Sequence, residues 1–255
     1  MLKKVLTGIV LVALASGLVI GLASCAKKEP TKITIASDAT FPPMEMVDAN
    51  KNIVGFDIDM INAAAKAGGF TAEVRNTAWD GIFAGLENGK YDAVLSSVTI
   101  TDERKKTMDF SLPYINAGQI LTVRADEGNV TTLADLKGKK VGAQIGTTGA
   151  FEIDKVKDAD KITEKTYDEI GLAFEDLSNG RIDGVVVDNP TAASYALQND
   201  KYKGKLKTVG TVFTEEYYGI AVKKGNQKVL DLINAGLKKV LDAGANKAIE
   251  DKWLK

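Results

Sequence analysis

Strand-like and helix-like segments alternate along the chain after residue 31, and this alternation limits the possible fold more than any other feature. The first strand-like segment is "KITIAS" (32–37), and "FDIDMINAAAKAGG" (56–69) is helix-like, with Ile58, Ile61 and Ala65 on one face. The segments "TAEVRN" and "YDAVLSSVTI" are further strands, separated by the helix-like "WDGIFAGLENGK". Such alternation builds sheets of mostly parallel strands covered by helices.

The same plan is repeated in the second half of the chain. The strands are "GQILTVRA", "KKVGAQIG", "KITEKTY", "RIDGVVVDN" and "KLKTVGT", with helices predicted around 148–156, at 168–178 and at 191–198. The chain closes with "YYGIAVKK" and a long amphipathic helix from Gln227 onward. We therefore predict an α/β protein of two similar lobes, each a mostly parallel sheet flanked by helices.

The N-terminus, "MLKKVLTGIVLVALASGLVIGLASC", has the plan of an export signal: two lysines, an uncharged apolar run, then small residues before a cysteine. A transmembrane anchor is the alternative, because residues 5–24 are long enough to span a bilayer. The ending "LASC" resembles the bacterial lipobox, in which a peptidase cuts before a cysteine that carries lipid. We predict a lipoprotein signal peptide at 1–24, a lipid on Cys25 that anchors the protein to the membrane, and a tether at 25–30.

Composition excludes several classes of function. The chain has no histidine and a single cysteine, which removes Ser-His and Cys-His nucleophiles and His/Cys metal sites. Lysine and arginine (33) nearly balance aspartate and glutamate (34), and no basic stripe is interleaved with aromatic residues, so nucleic acid is not expected as a partner. No metal and no cofactor are expected.

Polar residues follow the ends of four predicted strands. They are Asp38–Phe41, Ser96–Thr101, Gly146–Gly149 and Asp188. Ligands of open parallel sheets bind beyond the carboxyl ends of the strands. We therefore expect these four segments to line one site.

Arg104 follows a run of hydroxyl residues in "SSVTITDER". Its guanidinium group could bind a carboxylate through two parallel hydrogen bonds, with Ser97 and Thr99 supplying further polar contacts. The alternative is a surface arginine that pairs with Asp102 or Asp109. Spacing alone does not separate the two interpretations.

The segment "VGAQIGTTG" (141–149) joins a strand, a glycine turn and the start of a helix. It lacks the glycine spacing of a dinucleotide site and the lysine of a P-loop. Backbone N–H groups at such a turn suit a carboxylate. The alternative is a plain turn after Gly146 in which Thr147 or Thr148 caps the helix.

Asp188 in "GVVVDNPTAA" stands where a carboxylate could meet an ammonium group, although capping the next helix is the alternative. Arg104 and Asp188 together would match the two charges of a zwitterion. Phe41 and Trp79 each follow a predicted strand, and they either pack in the core or form the walls of a cleft around a flat or cationic side chain. Asp38 could face the tip of that side chain.

Seven motifs in this order resemble the polar amino-acid-binding lipoproteins of bacterial ABC importers, solute-binding protein family 3, which have the type II periplasmic-binding-protein fold. They are "SDATFPPMEM", "IVGFDIDM", "SSVTITDERKKTMDFSLPY", "VGAQIGTTG", "GRIDGVVVDNP", "YYGIAVKKGN" and "DKWL". The resemblance implies a monomer that captures a free L-amino acid by lobe closure and delivers it to a membrane permease. It also implies an exported protein, held at the outer face of the cell membrane or periplasmic.

The resemblance implies two lobes, one formed by 31–113 with 219–255 and the other by 119–213, joined by a two-strand hinge at 114–118 and 214–218. It places Arg104 and Thr99 on the ligand's α-carboxylate, and Asp188 on its α-ammonium group. The remaining ligand-binding residues that it implies are Asp38, Phe41, Trp79, Ser96, Ser97, Gln144, Thr147 and Thr148.

An acidic Asp38 beside two aromatic residues favours a basic amino acid, arginine or lysine, as the ligand. Glutamine stays open, because amide binders of the family also carry an aspartate at this position and Gln144 suits an amide equally well. A dehydratase acting on prephenate-like acids would need a general acid, and Glu45 is the one unassigned candidate. The sequence favours binding over catalysis, and adhesion at the cell surface is a third possibility.

Overall fold

The computed structural model describes residues 31–255 of the 255-residue chain. The predicted signal peptide, the tether and the lipid on Cys25 lie outside the described residues. Within residues 31–255, no helix combines the length and the apolar character needed to cross a membrane.

The first lobe is built on a five-stranded sheet. In spatial order its strands are β5 (Phe70–Asn76), β1 (Thr31–Ser37), β6 (Ala93–Val94), β15 (Ala221–Lys223) and β7 (Met108–Phe110). Strand β1 pairs in parallel with β5 and β6, whereas β15 pairs antiparallel with β6 and β7.

The second lobe repeats this pattern. In spatial order its strands are β11 (Thr163–Tyr167), β10 (Lys140–Gln144), β12 (Gly184–Asp188), β9 (Gln119–Arg124) and β13 (Leu206–Val209). Strand β10 pairs in parallel with β11 and β12, and β9 pairs antiparallel with β12 and β13. The α/β fold with two similar lobes is confirmed.

In each sheet four strands run in one direction, and one strand, β15 or β9, runs against them. The register explains the difference, since Gln119 at the start of β9 lies opposite Asp188 at the end of β12. Likewise, Ala221 at the start of β15 lies opposite Val94 at the end of β6. A strand that enters a sheet from the segment between the lobes begins where the parallel strands end, and it must therefore run antiparallel to them.

Two short strands, β8 (Ile115–Ala117) and β14 (Glu216–Tyr218), pair antiparallel between the two large sheets. They fall inside the segments 114–118 and 214–218 that the sequence analysis assigns to a hinge. The hinge motion and the lobe boundaries stay predictions. A small three-stranded sheet contains β2 (Thr40–Phe41), β3 (Glu45–Val47) and β4 (Ile53–Val54).

Helices cover both sheets. Helix α1 (Phe56–Gly68) ends at Gly69, whose φ of 74° is a left-handed conformation that glycine adopts without strain. It packs closely on α7 (Gln227–Asp242), because a Cβ on Gly236 would stand 2.2 Å from the carbonyl oxygen of Ala64. The other helices are α2 (Ile82–Glu87), α3 (Asp102–Thr107), α4 (Thr148–Asp160), α5 (Ile170–Ser178), α6 (Asn189–Ala193), which continues as a π-helical turn over Ser194–Gln198, and α8 (Asn246–Trp253).

The strand predicted over 91–100 is interrupted. Regular pairing covers only β6, and Thr99 then forms an isolated bridge with Tyr218. Between them Ser97 has a φ of 50°, in the left-handed region that no strand can contain. The backbone turns at Ser97.

Candidate functional site

A cavity of about 320 Å³ lies between the two lobes. All the side chains that the sequence analysis assigned to a ligand lie along it, and Glu45 joins them. The lining residues are Asp38, Phe41, Glu45, Trp79, Ser96, Ser97, Thr99, Arg104, Gln144, Thr147, Thr148 and Asp188.

The carboxyl ends of the parallel strands bring these residues together. Asp38 directly follows β1, and Ser96 comes two residues after β6. In the other lobe Gln144 ends β10 and Asp188 ends β12. Neighbouring parallel strands end at the same edge of a sheet, so distant sequence positions meet there.

Arg104 provides the positive charge of the cavity. It lies on α3, and its Nη1 donates to the carbonyl oxygen of Thr99 at 2.9 Å. Across the cleft, Nη2 donates to the carbonyl oxygen of Gly146 at 3.3 Å. The guanidinium group lies over the rings of Trp79 and Phe83, 5.6 and 5.2 Å from their centroids.

The alternative that Arg104 is a surface residue paired with an aspartate is wrong. Asp102 instead pairs with Lys105 at 3.0 Å, and Asp109 pairs with Lys224 at 2.6 Å. Burial lowers the pKa of Arg104 to about 10, against the opposing effect of two acidic groups nearby. Arg104 thus carries a half-buried positive charge that forms no ion pair within residues 31–255.

Asp188 provides a negative charge on the other lobe. Only 6% of the residue is exposed, and the Tyr218 hydroxyl donates to its Oδ1 at 2.7 Å. It stands at the N-cap position of α6 but makes no capping hydrogen bond with its side chain, so the capping alternative is also wrong. Burial raises the pKa of Asp188 to about 6, with a further contribution from Glu216. No lysine or arginine of the described chain pairs with it.

A third part of the cavity combines an acid, an amide and two aromatic rings. Asp38 accepts hydrogen bonds from Thr40 Oγ1 at 2.8 Å and, across the cleft, from Gln144 Nε2 at 2.9 Å. Burial raises the pKa of Asp38, and these hydrogen bonds oppose the shift. Phe41 and Trp79 are both largely buried beside it, at 7% and 8% exposure. This part of the cavity suits a side chain with a flat or apolar body and a hydrogen-bonding tip.

Comparison with sequence models of protein families shows how this chain is related to known proteins. The model of the bacterial extracellular solute-binding proteins, family 3, matches residues 33–255. The chain belongs to this family. The resemblance inferred from the seven motifs is thereby confirmed.

Individual relatives of this family 3 protein are similar over nearly their whole length. A probable histidine-binding protein of Neisseria gonorrhoeae is 40% identical over 220 residues, 86% of this chain and 81% of the relative. The L-cystine-binding protein TcyJ of Escherichia coli strain K12 is 33% identical over 258 residues, 98% of this chain and 95% of that protein. A solved structure of an ancestral arginine-binding protein bound to arginine has a TM-score of 0.84 and 41% identity, covering 89% of this chain and 100% of that one. All three are described as binding proteins.

Glu216 is a buried acid beside the cavity that the sequence analysis of this family 3 protein missed. It lies on β14, and its Oε2 accepts hydrogen bonds from Thr99 Oγ1 at 2.7 Å and Thr148 Oγ1 at 2.8 Å. Its Oε1 accepts from Thr214 Oγ1 at 2.8 Å. The strand alternation could have indicated it, since Glu216 and Tyr218 point to the same buried side of β14.

The hydroxyl groups of the cavity thus have different partners. Thr99 and Thr148 donate to Glu216, whereas Ser96 and Ser97 donate to Glu45 at 3.1 and 3.3 Å. Thr147 caps α4 by accepting from the backbone N–H of Ala150 at 3.3 Å. Across residues 31–255 no cluster of three potential metal ligands occurs. The cavity is therefore organised around charged side chains and hydrogen bonds.

Proposed function

We propose that this protein is the extracytoplasmic solute-binding component of an ABC importer and that it captures a basic L-amino acid, L-arginine or L-lysine, between its lobes. The observation that carries the proposal is a pair of charges on one cavity that have no ion-pair partner in the described chain, the half-buried Arg104 and the buried Asp188. They belong to opposite lobes, and the charge of Asp188 raises the pKa of Arg104, although the two side chains form no ion pair. A free amino acid carries an α-carboxylate and an α-ammonium group that would match them.

Burial makes this match energetically important. A charge removed from water is costly unless an opposite charge and hydrogen bonds replace the lost hydration. The Arg104 guanidinium can offer a carboxylate two parallel hydrogen bonds. Asp188 can accept from an ammonium group while it keeps its bond from Tyr218.

The preference for a basic side chain rests on Asp38. Its carboxylate lines the same cavity as the aromatic residues Phe41 and Trp79, and no lysine or arginine other than Arg104 lines that cavity in the described chain. An acidic group and two aromatic faces attract a cation. A glutamate-like side chain would instead meet like charge. Glutamine is a competing ligand because the Gln144 amide could bind its side chain. Histidine and cystine are competing ligands because two of the relatives are described as binding them.

We infer binding without chemical conversion. Glu45 is the acid that a dehydratase mechanism would need, and burial raises its pKa well above the usual value. However, both its oxygens are engaged by Ser96 and Ser97, and it hydrogen-bonds to the buried Asp57. Its proton is therefore directed into the lobe and away from the cavity.

Thermal unfolding against the twenty amino acids and L-cystine tests the proposed function. Ligand at about 100 times its dissociation constant stabilises a protein by about 2.7 kcal/mol. For a protein of this size, that raises the midpoint by about 5–10 °C. We expect the largest shift with L-arginine or L-lysine. No shift with any compound would refute amino-acid binding, and a larger shift with L-glutamine or L-histidine would refute only the basic ligand.

Replacing Asp38 by asparagine should separate a cationic ligand from an amide ligand. The change keeps the size of the side chain and removes its charge, so the affinity for L-arginine should fall about tenfold or more, the size of one charge-assisted hydrogen bond. The affinity for L-glutamine, which needs no charge, should change by less than about threefold on the same basis. Isothermal titration of both ligands measures the two effects. Asp80→Asn, next to Trp79 but exposed, is the matched control and should leave both affinities unchanged.

A further inference from the structure

Ser97 has an unusual backbone conformation at the wall of the cavity. Its φ of 50° lies in the left-handed region, where a residue with a Cβ atom is strained. The residue is 9% exposed and lines the cavity. Such a conformation persists only where the surrounding structure holds it in place.

Two fully buried carboxyl groups, Glu45 and Asp57, hold Ser97 from behind. The backbone N–H of Ser97 donates to Asp57 Oδ2 at 2.9 Å, and its Oγ donates to Glu45 Oε2 at 3.3 Å. Asp57 also accepts from the Tyr114 hydroxyl, which lies 2.9 Å from each of its oxygens. Both acids have 0% exposure, and neither is needed for the charge match proposed above.

A close backbone approach brings the two acids together. Gly55 has a φ of 140°, and a Cβ there would stand 2.1 Å from the carbonyl oxygen of Met44. The same carbonyl accepts from the backbone N–H of Asp57 at 2.9 Å. Glycine thus lets β3, which begins at Glu45, lie directly against the start of α1, where Asp57 stands.

Glu45 and Asp57 share one negative charge more readily than two, because adjacent like charges repel each other. Glu45 and Asp57 are hydrogen-bonded to each other, and the other titratable groups that act on them are Asp38 and Tyr114, neither of them a cation. Burial raises the pKa of Glu45 well above its usual value, and the charge of Asp57 raises it further. Burial raises the pKa of Asp57 to about 6, but hydrogen bonds from Ser97 and Tyr114 oppose the shift. The charge therefore resides on Asp57, at the N-terminus of a helix, and the proton on Glu45.

We propose that Asp57 is a positioning residue for ligand binding, because its carboxylate holds Ser97 in the left-handed conformation that shapes the cavity wall. In this role Glu45 is the neutral partner of the pair. The part of this inference that concerns ligand affinity rests on the proposed function. The strain at Ser97 can be tested without any ligand.

Two isosteric substitutions distinguish the roles of the two acids. Asp57→Asn removes the charge that holds the Ser97 N–H, and we expect the affinity for L-arginine to fall about tenfold or more. Glu45→Gln keeps a neutral donor toward Asp57 but retains only one of the two oxygens that accept from Ser96 and Ser97, so its loss of affinity should be smaller than that of Asp57→Asn. Isothermal titration with L-arginine measures both. A loss in Glu45→Gln as large as the loss in Asp57→Asn would overturn the assignment of the charge to Asp57.

Ser97→Gly tests whether Asp57 acts through the backbone conformation of Ser97 or only contributes to the stability of the fold. Glycine adopts a φ of 50° without strain, so it no longer needs the carboxylate. We expect Ser97→Gly to raise the thermal midpoint in both backgrounds. The increase should be about 3 °C larger in the Asp57→Asn protein than in the wild type. In the double variant, we also expect an L-arginine affinity within about threefold of that of Ser97→Gly alone.

The outcomes of these experiments support or overturn the positioning role of Asp57 as follows. Equal effects of Ser97→Gly in the two backgrounds would overturn the positioning role. Should Asp57→Asn alone fail to fold, recovery of the folded state in the double variant supports the proposal, and failure to recover it counts against the proposal. If the wild type binds no amino acid, the proposed function fails, but the comparison of midpoints still tests the strain at Ser97.

Discussion

Arg104→Met should lower the affinity for L-arginine by about 100-fold or more. Truncating one partner of a buried charge pair costs about 2–5 kcal/mol, much of it because the other charge is left unpaired. Here the unpaired group would be the ligand's carboxylate, which would lose the guanidinium group that lies over the rings of Trp79 and Phe83. Arg104→Lys keeps the charge but loses the two-pronged geometry, so we expect an intermediate loss of about tenfold. Isothermal titration at neutral pH measures both.

Lys105→Met is the matched control, because Lys105 lies on the same helix and forms an exposed ion pair with Asp102 at 3.0 Å. Such pairs contribute little, about 0–1 kcal/mol, and binding should be unchanged. If Arg104→Met bound L-arginine as tightly as this control, Arg104 could not be the carboxylate-binding group.

Asp188→Asn should have the second large effect: it should weaken ligand binding but stabilise the ligand-free protein. With a pKa of about 6 in the free protein, Asp188 is ionised at pH 7.5 and can meet an ammonium group. Replacing it should weaken L-arginine binding by about 100-fold, since the ligand's charge would be buried unpaired. The thermal midpoint of the ligand-free protein should rise.

The gain in stability follows from the raised pKa. A carboxyl group whose pKa is higher in the folded state than in the unfolded state favours folding while it is protonated, and this contribution is lost as the pH rises toward 6. A neutral asparagine does not ionise, so the stability of Asp188→Asn does not decrease in this way as the pH rises. At pH 7.5 the difference is about 2–3 kcal/mol, by the free energy that corresponds to each pKa unit. Thermal unfolding of the two proteins without ligand measures it.

The pH dependence of binding gives an independent check on Asp188. The affinity for L-arginine should be constant above about pH 7 and should fall about tenfold per pH unit below about pH 6, as a proton competes with the ligand's ammonium group. Asp188→Asn should remove this slope. Persistence of the full slope in Asp188→Asn would assign the dependence to another group, and Asp57, with a pKa also about 6, would be the first candidate.

The ends of the predicted strands identified part of the cavity wall, and the family resemblance supplied the rest. Asp38 and Asp188 were found because parallel strands end at one edge, so local patterns place distant residues together. Arg104 was found because it follows a run of hydroxyl residues, and Gln144 was implied by the family resemblance. What each side chain contacts was not predictable in the same way. Thr99 and Glu216 are 117 positions apart, and no local pattern couples them.

The sequence was least informative where tertiary contacts override local preference. The run at 91–100 is a good strand by composition, yet it breaks at Ser97, whose N–H donates to Asp57, 40 positions away in the sequence. The direction of β9 and β15 depends on how the chain passes between the lobes, which no strand pattern records. Whether Asp188 capped a helix or faced a cavity was likewise settled only by its burial and by the missing capping bond.

The two tryptophans differ in a way that is useful for spectroscopy. The Trp79 indole N–H donates across the cleft to the carbonyl oxygen of Ile145 at 2.9 Å, whereas Trp253 donates to Asp59 at 2.7 Å within its own lobe. Separation of the lobes would expose the first indole to water and leave the second unchanged. With only two tryptophans in the chain, its intrinsic fluorescence can therefore follow opening and closing in real time, without a dye or a label, once Trp253 is replaced to remove the constant background.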